Sequence, residues 1–154
     1  MVERENCVCP AVMFENVVRA VNCEEREGLI DRLISEMTLD EKIDQMSGGM
    51  RPAQWLKRYN AETYDSGENV RLGIPSVRFT DGPRGVVIGN STCFPVSMAR
   101  GATWDVALEK RVGSVMGVES RAQGANFSGA VCINLLRHPG WGRAQETFGE
   151  DPFH

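Results

Sequence analysis

The stretch from Val77 to Leu135 constrains the chain most, because a short apolar run, a glycine-rich turn, a long amphipathic segment and a second apolar run follow in that order. Val77-Arg78-Phe79-Thr80, introduced by Gly73-Ile74-Pro75, reads as a strand, since β-branched and aromatic residues bounded by glycine and proline favour extended backbone. Asp81-Gly82-Pro83-Arg84-Gly85 must then turn. After the apolar stretch Cys93–Ala99, Asp105 is an apt N-cap for a helix with Leu108, Val112, Val115, Met116 and Ala122 on one face, which Gly124 stops. Gly113 and Gly117 lie inside it, where glycine costs about 1 kcal/mol, and close packing against a neighbour is the expected reason. Ala130 to Leu135 reads as a buried strand. Strand, loop, helix and strand, with long polar loops after the strands, is the rhythm of an α/β domain with a parallel sheet.

The residues ahead of this core divide at Asn22. Residues 1–22 read as a leader, irregular or partly helical, and residues 23–154 as one domain. From Glu24 to Met37, the residues Leu29, Ile30, Leu33, Ile34 and Met37 recur at helical spacing, with Asn22 and Glu25 placed to cap the start. Thr38-Leu39-Asp40-Glu41 is a capping box for a second, short helix with Leu39, Ile43 and Met46 expected inward, ended by Ser47-Gly48-Gly49. In the polar run 50–69, Trp55 and Tyr59 stand four apart; they could stack on sugar faces, but that spacing more often serves packing within one helix face.

Charge and cysteine usage exclude several partners. A net charge of −4 gives no reason to expect nucleic acid or an anionic membrane, and no apolar run approaches the ~20 residues that span a bilayer. No apolar segment follows a basic stretch near Met1, so a cytoplasmic location is the expectation. The five cysteines are odd in number and loosely spaced, which argues for a reducing compartment rather than a disulfide framework. Cys7-Val8-Cys9 lacks the two-residue gap of a redox or zinc site, and His138 and His154 are the only histidines, so neither a metal nor a cofactor is expected. The glycosylation sequons at Asn90 and Asn126 are short enough to arise by chance.

Polar chemistry concentrates at two strand ends. Asp81 follows the first strand, and in parallel barrels the loops at such ends form the functional face. An ionised aspartate there can accept two hydroxyl hydrogen bonds. It can equally well begin a turn, and local sequence does not separate the two. The second concentration runs from Asn134 to Pro152, where Arg137, His138, Trp141, Arg143, Glu146, Phe148, Glu150 and Asp151 share one glycine-rich loop. Glu146, Glu150 and Asp151 beside Arg137 and Arg143 suggest a buried ion-pair network that stiffens it, in which every charge needs a partner.

At this point the chain resembles glycoside hydrolase family 3. The resemblance rests on Asp81-Gly82-Pro83-Arg84-Gly85, Cys93-Phe94-Pro95, Ala102-Thr103-Trp104-Asp105, Gly117-Val118-Glu119-Ser120-Arg121, and Arg137-His138-Pro139 through Gly142-Arg143 to Glu146 and Glu150-Asp151-Pro152. Five motifs in the family's order and spacing, from about Glu25 onward, make it specific. The Asp-Gly-Pro-Arg-Gly form is similar to the β-glucosidase branch. The resemblance implies that the chain is the amino-terminal portion of a TIM-barrel-like (β/α)8 catalytic domain, incomplete here, in an enzyme that releases terminal non-reducing β-D-glucosyl residues with retention.

It further implies that Asp81 and Arg143 hold the hydroxyls of the terminal glucose, while Arg84, Glu146, Glu150 and Asp151 support them. No cofactor follows from it; the implied partners are a β-glucoside or oligosaccharide and the remainder of the enzyme or a complementary chain. The family's lysine-histidine pair, aspartate nucleophile and glutamate acid/base find no match before His154, so no catalytic carboxylate is expected in this chain. A sugar-binding module without catalysis and an inert truncated product stand as the alternatives.

Overall fold

The computed structural model describes residues 10–48, 56 and 60–153; Cys7, Cys9, Gly49, the Trp55–Tyr59 pair and His154 lie outside the described residues. In chain order the elements are α1 (Phe14–Val18), α2 (Cys23–Glu36), α3 (Leu39–Gln45), β1 (Tyr64–Ser66), β2 (Val77–Thr80), α4 (Ser97–Gly101), α5 (Val106–Ala122), β3 (Phe127–Ser128) and a 3-10 turn at Ala144–Glu146. They fall into two compact units, residues 1–49 with 65–76 and residues 50–64 with 77–154.

The first unit is built on capped helices. Asn22 Oδ1 accepts the Glu25 N–H at 2.8 Å and starts α2. Thr38 Oγ1 accepts the Glu41 N–H at 3.2 Å while the Glu41 carboxylate accepts the Thr38 N–H at 2.8 Å, the reciprocal box expected for α3. The apolar face of α2 meets α1 and the 69–74 turn: Val12, Val17, Leu33, Met37 and Leu72 form a core with Phe14, Leu29, Ile30 and Ile74 packed against it. Leu72 is wholly buried there, and Phe14 N donates to its carbonyl at 2.9 Å. Arg71 ties the unit from outside, donating to the Glu41 carboxylate at 2.6 and 2.7 Å and to the Glu36 carbonyl at 2.8 Å.

One expectation fails here. Leu39, Ile43 and Met46 are exposed rather than inward. The capping box and the Arg71–Glu41 pair attach α3 through polar groups, and none of its residues is buried.

In the second unit, β2 and β3 pair in parallel through Phe79 with Phe127 and Thr80 with Ser128. Asn126 prepares this register: its Oδ1 accepts the Arg78 N–H at 2.7 Å and its own N–H donates to the Arg78 carbonyl at 2.9 Å. Helix α5 connects the two strands, capped by Asp105 Oδ1 on the Leu108 N–H at 2.8 Å and ended at Gly124 with φ +85°. Its inward face is narrower than the sequence suggests: Val112 is buried, Leu108 and Met116 half-buried, Val115 and Ala122 exposed.

Two further expectations are corrected. The buried strand at 130–135 is absent; the ladder occupies residues 127–128, and Val131 and Ile133 are largely exposed. Gly129 N still bonds the Thr80 carbonyl at 2.9 Å, but β2 ends there and the chain beyond Asp81 turns away, so residues after 129 have no strand to follow. Gly113 and Gly117 are not sites of close packing, since a Cβ on either would meet nothing within 4 Å. Instead they line an open hollow of about 690 Å³.

Candidate functional site

The turn after β2 admits only glycine at two places. Gly82 (φ +121°) and Gly85 (φ +124°) sit in the left-handed half of backbone space, and a Cβ would come within 1.9 Å of the Gly85 carbonyl oxygen and 2.0 Å of the Thr92 carbonyl oxygen respectively. The turn closes through Val87 N on the Asp81 carbonyl at 3.2 Å and Gly85 N on the Gly82 carbonyl at 3.2 Å. Further on, Thr92 donates its N–H and hydroxyl to the Glu119 carboxylate on α5 at 3.0 and 2.6 Å, and Phe94 N bonds the Arg84 carbonyl at 2.7 Å. Asp81 is half-buried in this frame, with Oδ1 accepting the Gly82 N–H at 2.8 Å. Among the described residues, its carboxylate accepts no other hydrogen bond.

The loop from Leu136 to Gly149 supplies the opposite charge. Leu136 N bonds the Gly149 carbonyl at 3.1 Å, closing the loop that carries Arg143. Inside it Thr147 is fully buried, and its hydroxyl donates to the Ala144 carbonyl at 2.8 Å, which fixes the 3-10 turn. Arg143 Nε lies 3.0 Å from both Glu146 carboxylate oxygens and Nη2 is 2.6 Å from Oε2. The Cys132 thiol donates to the same Oε2 at 3.4 Å.

These contacts set the protonation states. Arg143 holds the Glu146 carboxyl below the usual carboxylate range, while Glu146 raises Arg143 in turn. Burial first, and the Glu146 hydrogen bond second, push the Cys132 thiol up. The charge of Asp81 is near enough to raise both Arg143 and Cys132. Cys132, Arg143 and Glu146 therefore form one hydrogen-bonded cluster, on which the Asp81 charge is the last of the causes acting.

The remaining candidates are placed differently. Arg84 is exposed and reaches the Phe94 carbonyl at 3.4 Å with Nε. Glu150 and Asp151 are exposed, and Asp151 Oδ1 accepts the Phe153 N–H at 2.9 Å. The expected buried network thus reduces, among the described residues, to the single Arg143–Glu146 pair, with Arg143 mostly exposed. A three-residue spacing on a tight turn lets that pair form locally, whereas the backbone after Thr147 leads Glu150 and Asp151 outward.

Two residues escaped the sequence reading. Cys132 reads in the sequence as one of five loosely spaced cysteines and as part of a buried strand, with nothing there to mark the Glu146 carboxylate as its partner. Arg100 directly follows the apolar run Cys93–Ala99, and a charge there signals a buried partner; it is 7% exposed and pairs with Glu109 at 2.8 Å. The 690 Å³ hollow is lined by Arg100 and Phe148 but by neither Asp81 nor Arg143, so charge and hydrogen-bonding capacity, not cavity size, mark the candidate site. Among the described residues no three His, Cys, Asp or Glu side chains gather as metal ligands, and no helix is long and apolar enough to cross a membrane.

Comparison with known proteins gives a consistent set of relatives. Residues 12–154 match the Glycosyl hydrolase family 3 N-terminal domain. A β-glucosidase of Rhizobium radiobacter is 34% identical over 131 residues, covering 80% of this chain, and a probable β-glucosidase I of Emericella nidulans is 38% identical over 128 residues, covering 79%. The chain spans 14% of the length of each of these two relatives. Among solved structures, β-glucosidase 3B from Thermotoga neapolitana in complex with α-D-glucose superposes with TM-score 0.68 at 29% identity, over 80% of this chain and 19% of that one. A Kluyveromyces marxianus β-glucosidase in complex with glucose gives TM-score 0.62 at 33% identity, over 80% and 14%. The strand–turn–helix–strand order is thus part of a TIM barrel, as the sequence suggested.

Proposed function

Because the chain belongs to glycosyl hydrolase family 3, we propose that it supplies part of the glucose-binding subsite of a retaining β-glucosidase acting on terminal non-reducing β-D-glucosyl residues. The observation that carries this reading is a carboxylate, Asp81, and a guanidinium, Arg143, on two separate loops, each with hydrogen-bonding capacity to spare among the described residues. Asp81 commits one oxygen to a backbone N–H and can accept from sugar hydroxyls, each such bond stronger for the charge. Arg143 engages Glu146 through Nε and Nη2, and the Nη1 edge of its fork is left to donate to hydroxyl oxygens. Glu146 keeps that fork aimed. Arg84 and Asp151 act at a distance, on the Phe94 carbonyl and the Phe153 N–H of their own loops.

Bond cleavage belongs, in this reading, to residues outside these 154. Retention needs a nucleophile and an acid/base about 5 Å apart, and these come from the remainder of the enzyme or a complementary chain. Turnover of an aryl β-glucoside tests the division of labour. The purified 154-residue chain is expected to show none, while the complete polypeptide releases glucose with the β-anomer appearing first. Turnover by the isolated chain would overturn it, and so would a complete polypeptide that cleaves β-xylosides and leaves β-glucosides intact.

A further inference from the structure

We propose that Arg100 is a positioning residue that holds the Asp81 turn and the Arg143 loop in one geometry. Its guanidinium is almost fully buried, with the side chain 5% exposed. Nη2 donates to the Pro83 carbonyl at 2.8 Å and to Ser97 Oγ at 3.1 Å, and Nη1 donates to Glu109 Oε1 at 2.8 Å. Pro83 is the middle residue of the Asp81–Gly85 turn, so this bond grips the turn from behind. The guanidinium also lies over the Phe148 ring, 5.5 Å from its centroid, next to the buried Thr147 that fixes the Arg143 turn. Helix α4, which carries Arg100, packs beside that 3-10 turn.

One planar group thus spans three segments: the first sugar-contact loop, helix α5 through Glu109, and the second sugar-contact loop. Lysine cannot reproduce this, because a single ammonium has no flat face and no fixed fork. Arg100 Nε is buried without a partner among the described residues, which adds to the cost of keeping the group there.

The consequence for sugar rests on the reading of Asp81 given above, so the test has two arms. Amide hydrogen exchange in the 154-residue chain, wild type against Arg100→Lys, reads the turn without any sugar. Gly85 and Val87, whose N–H groups close the turn, are expected to exchange about tenfold faster while amides of the Leu33 core are unchanged. Equal protection at Gly85 and Val87, or a rise matched across the whole chain, overturns the proposal. Ser97→Ala, which removes one acceptor only, gives the same readout at smaller amplitude if Arg100→Lys fails to fold.

The second arm is kinetic, in the complete polypeptide. Arg100→Lys should lower kcat/KM for β-glucosides by roughly ten- to a hundredfold, the loss that a misplacement of about 1 Å brings. The loss should be smaller than in the wild type when Asp81 is already Asn, because part of the effect of Arg100 passes through the Asp81 turn. Full additivity of the two losses overturns the positioning role. A wild-type polypeptide without action on glucosides defeats the functional reading instead, and the exchange arm then decides the positioning role alone.

Discussion

Glu146 accepts from Arg143 on one side and from the Cys132 thiol on the other, so a single carboxylate fixes both the aim of a cation and the proton of a thiol. Asp81 stands apart from that pair, its carboxylate bonded to the Gly82 N–H of its own turn. The two proposed sugar contacts should therefore respond differently to mutation. Asp81→Asn keeps the shape and replaces a charged acceptor by an amide, and kcat/KM of the complete enzyme with β-glucosides should fall by about 1.5–3 kcal/mol, the range for a hydrogen bond to a charged group. Arg143→Lys should also lower kcat/KM, with little change in melting temperature, because the mostly exposed pair with Glu146 contributes little stability. Normal kinetics in both variants would remove the pocket assignment, and a mainly thermal effect of Arg143→Lys would make the residue a strut of its loop. Asp81 and Arg143 were conspicuous in the sequence through the family resemblance and their glycine-rich settings, with Asp81 alone directly following a strand. Arg100 and Cys132 were not, because their meaning comes from partners 9 to 17 residues away.

Helix ends were the most legible elements. The caps at Asn22, Thr38 and Asp105 follow from side-chain chemistry within three residues, and all three form. Thr38→Ala should cost about 1 kcal/mol, read as a lower denaturation midpoint with unchanged slope. The same box sets an acid response. Arg71, with help from the Thr38 N–H, holds the Glu41 carboxyl well below its ordinary value. A carboxyl depressed in the folded state stabilises fully above its unfolded pKa of about 4.3 and loses that contribution as pH falls through the folded value. The melting temperature should thus be flat from neutral pH to about pH 5 and fall below it. Arg71→Met should blunt that fall, and an unchanged acid profile in the variant would show that other carboxylates dominate. Burial of element faces was less legible. Hydrophobic spacing gave the inward side of α2 at Leu29, Ile30, Leu33 and Met37, though Ile34 is exposed; Val131, Ile133 and the apolar side of α3 carry the same kind of pattern and lie open. A pattern states which side prefers burial; whether a partner covers it is decided by segments far off in the chain.

At the scale of the molecule, the α/β order and the barrel portion were readable because a helix joining two parallel strands leaves few alternatives, and the superposition on glucose-bound β-glucosidases agrees. The 154-residue chain exposes Leu39, Met46, Val106, Val118, Val131 and Ile133, each with more than two-thirds of its surface open. Purified alone it should bind the dye anilinonaphthalene sulfonate and self-associate with rising concentration. A monomer at all concentrations with no dye binding would mean that those side chains find cover among themselves. Finally, the first compact unit is discontinuous in the chain, and Leu72, its most deeply buried member, is made after helices α1 and α2. A nascent chain leaving the ribosome therefore presents two helices with an unfilled seat between them until Leu72 clears the exit tunnel. Translation speed across residues 37–72 sets how long chaperones can reach that seat.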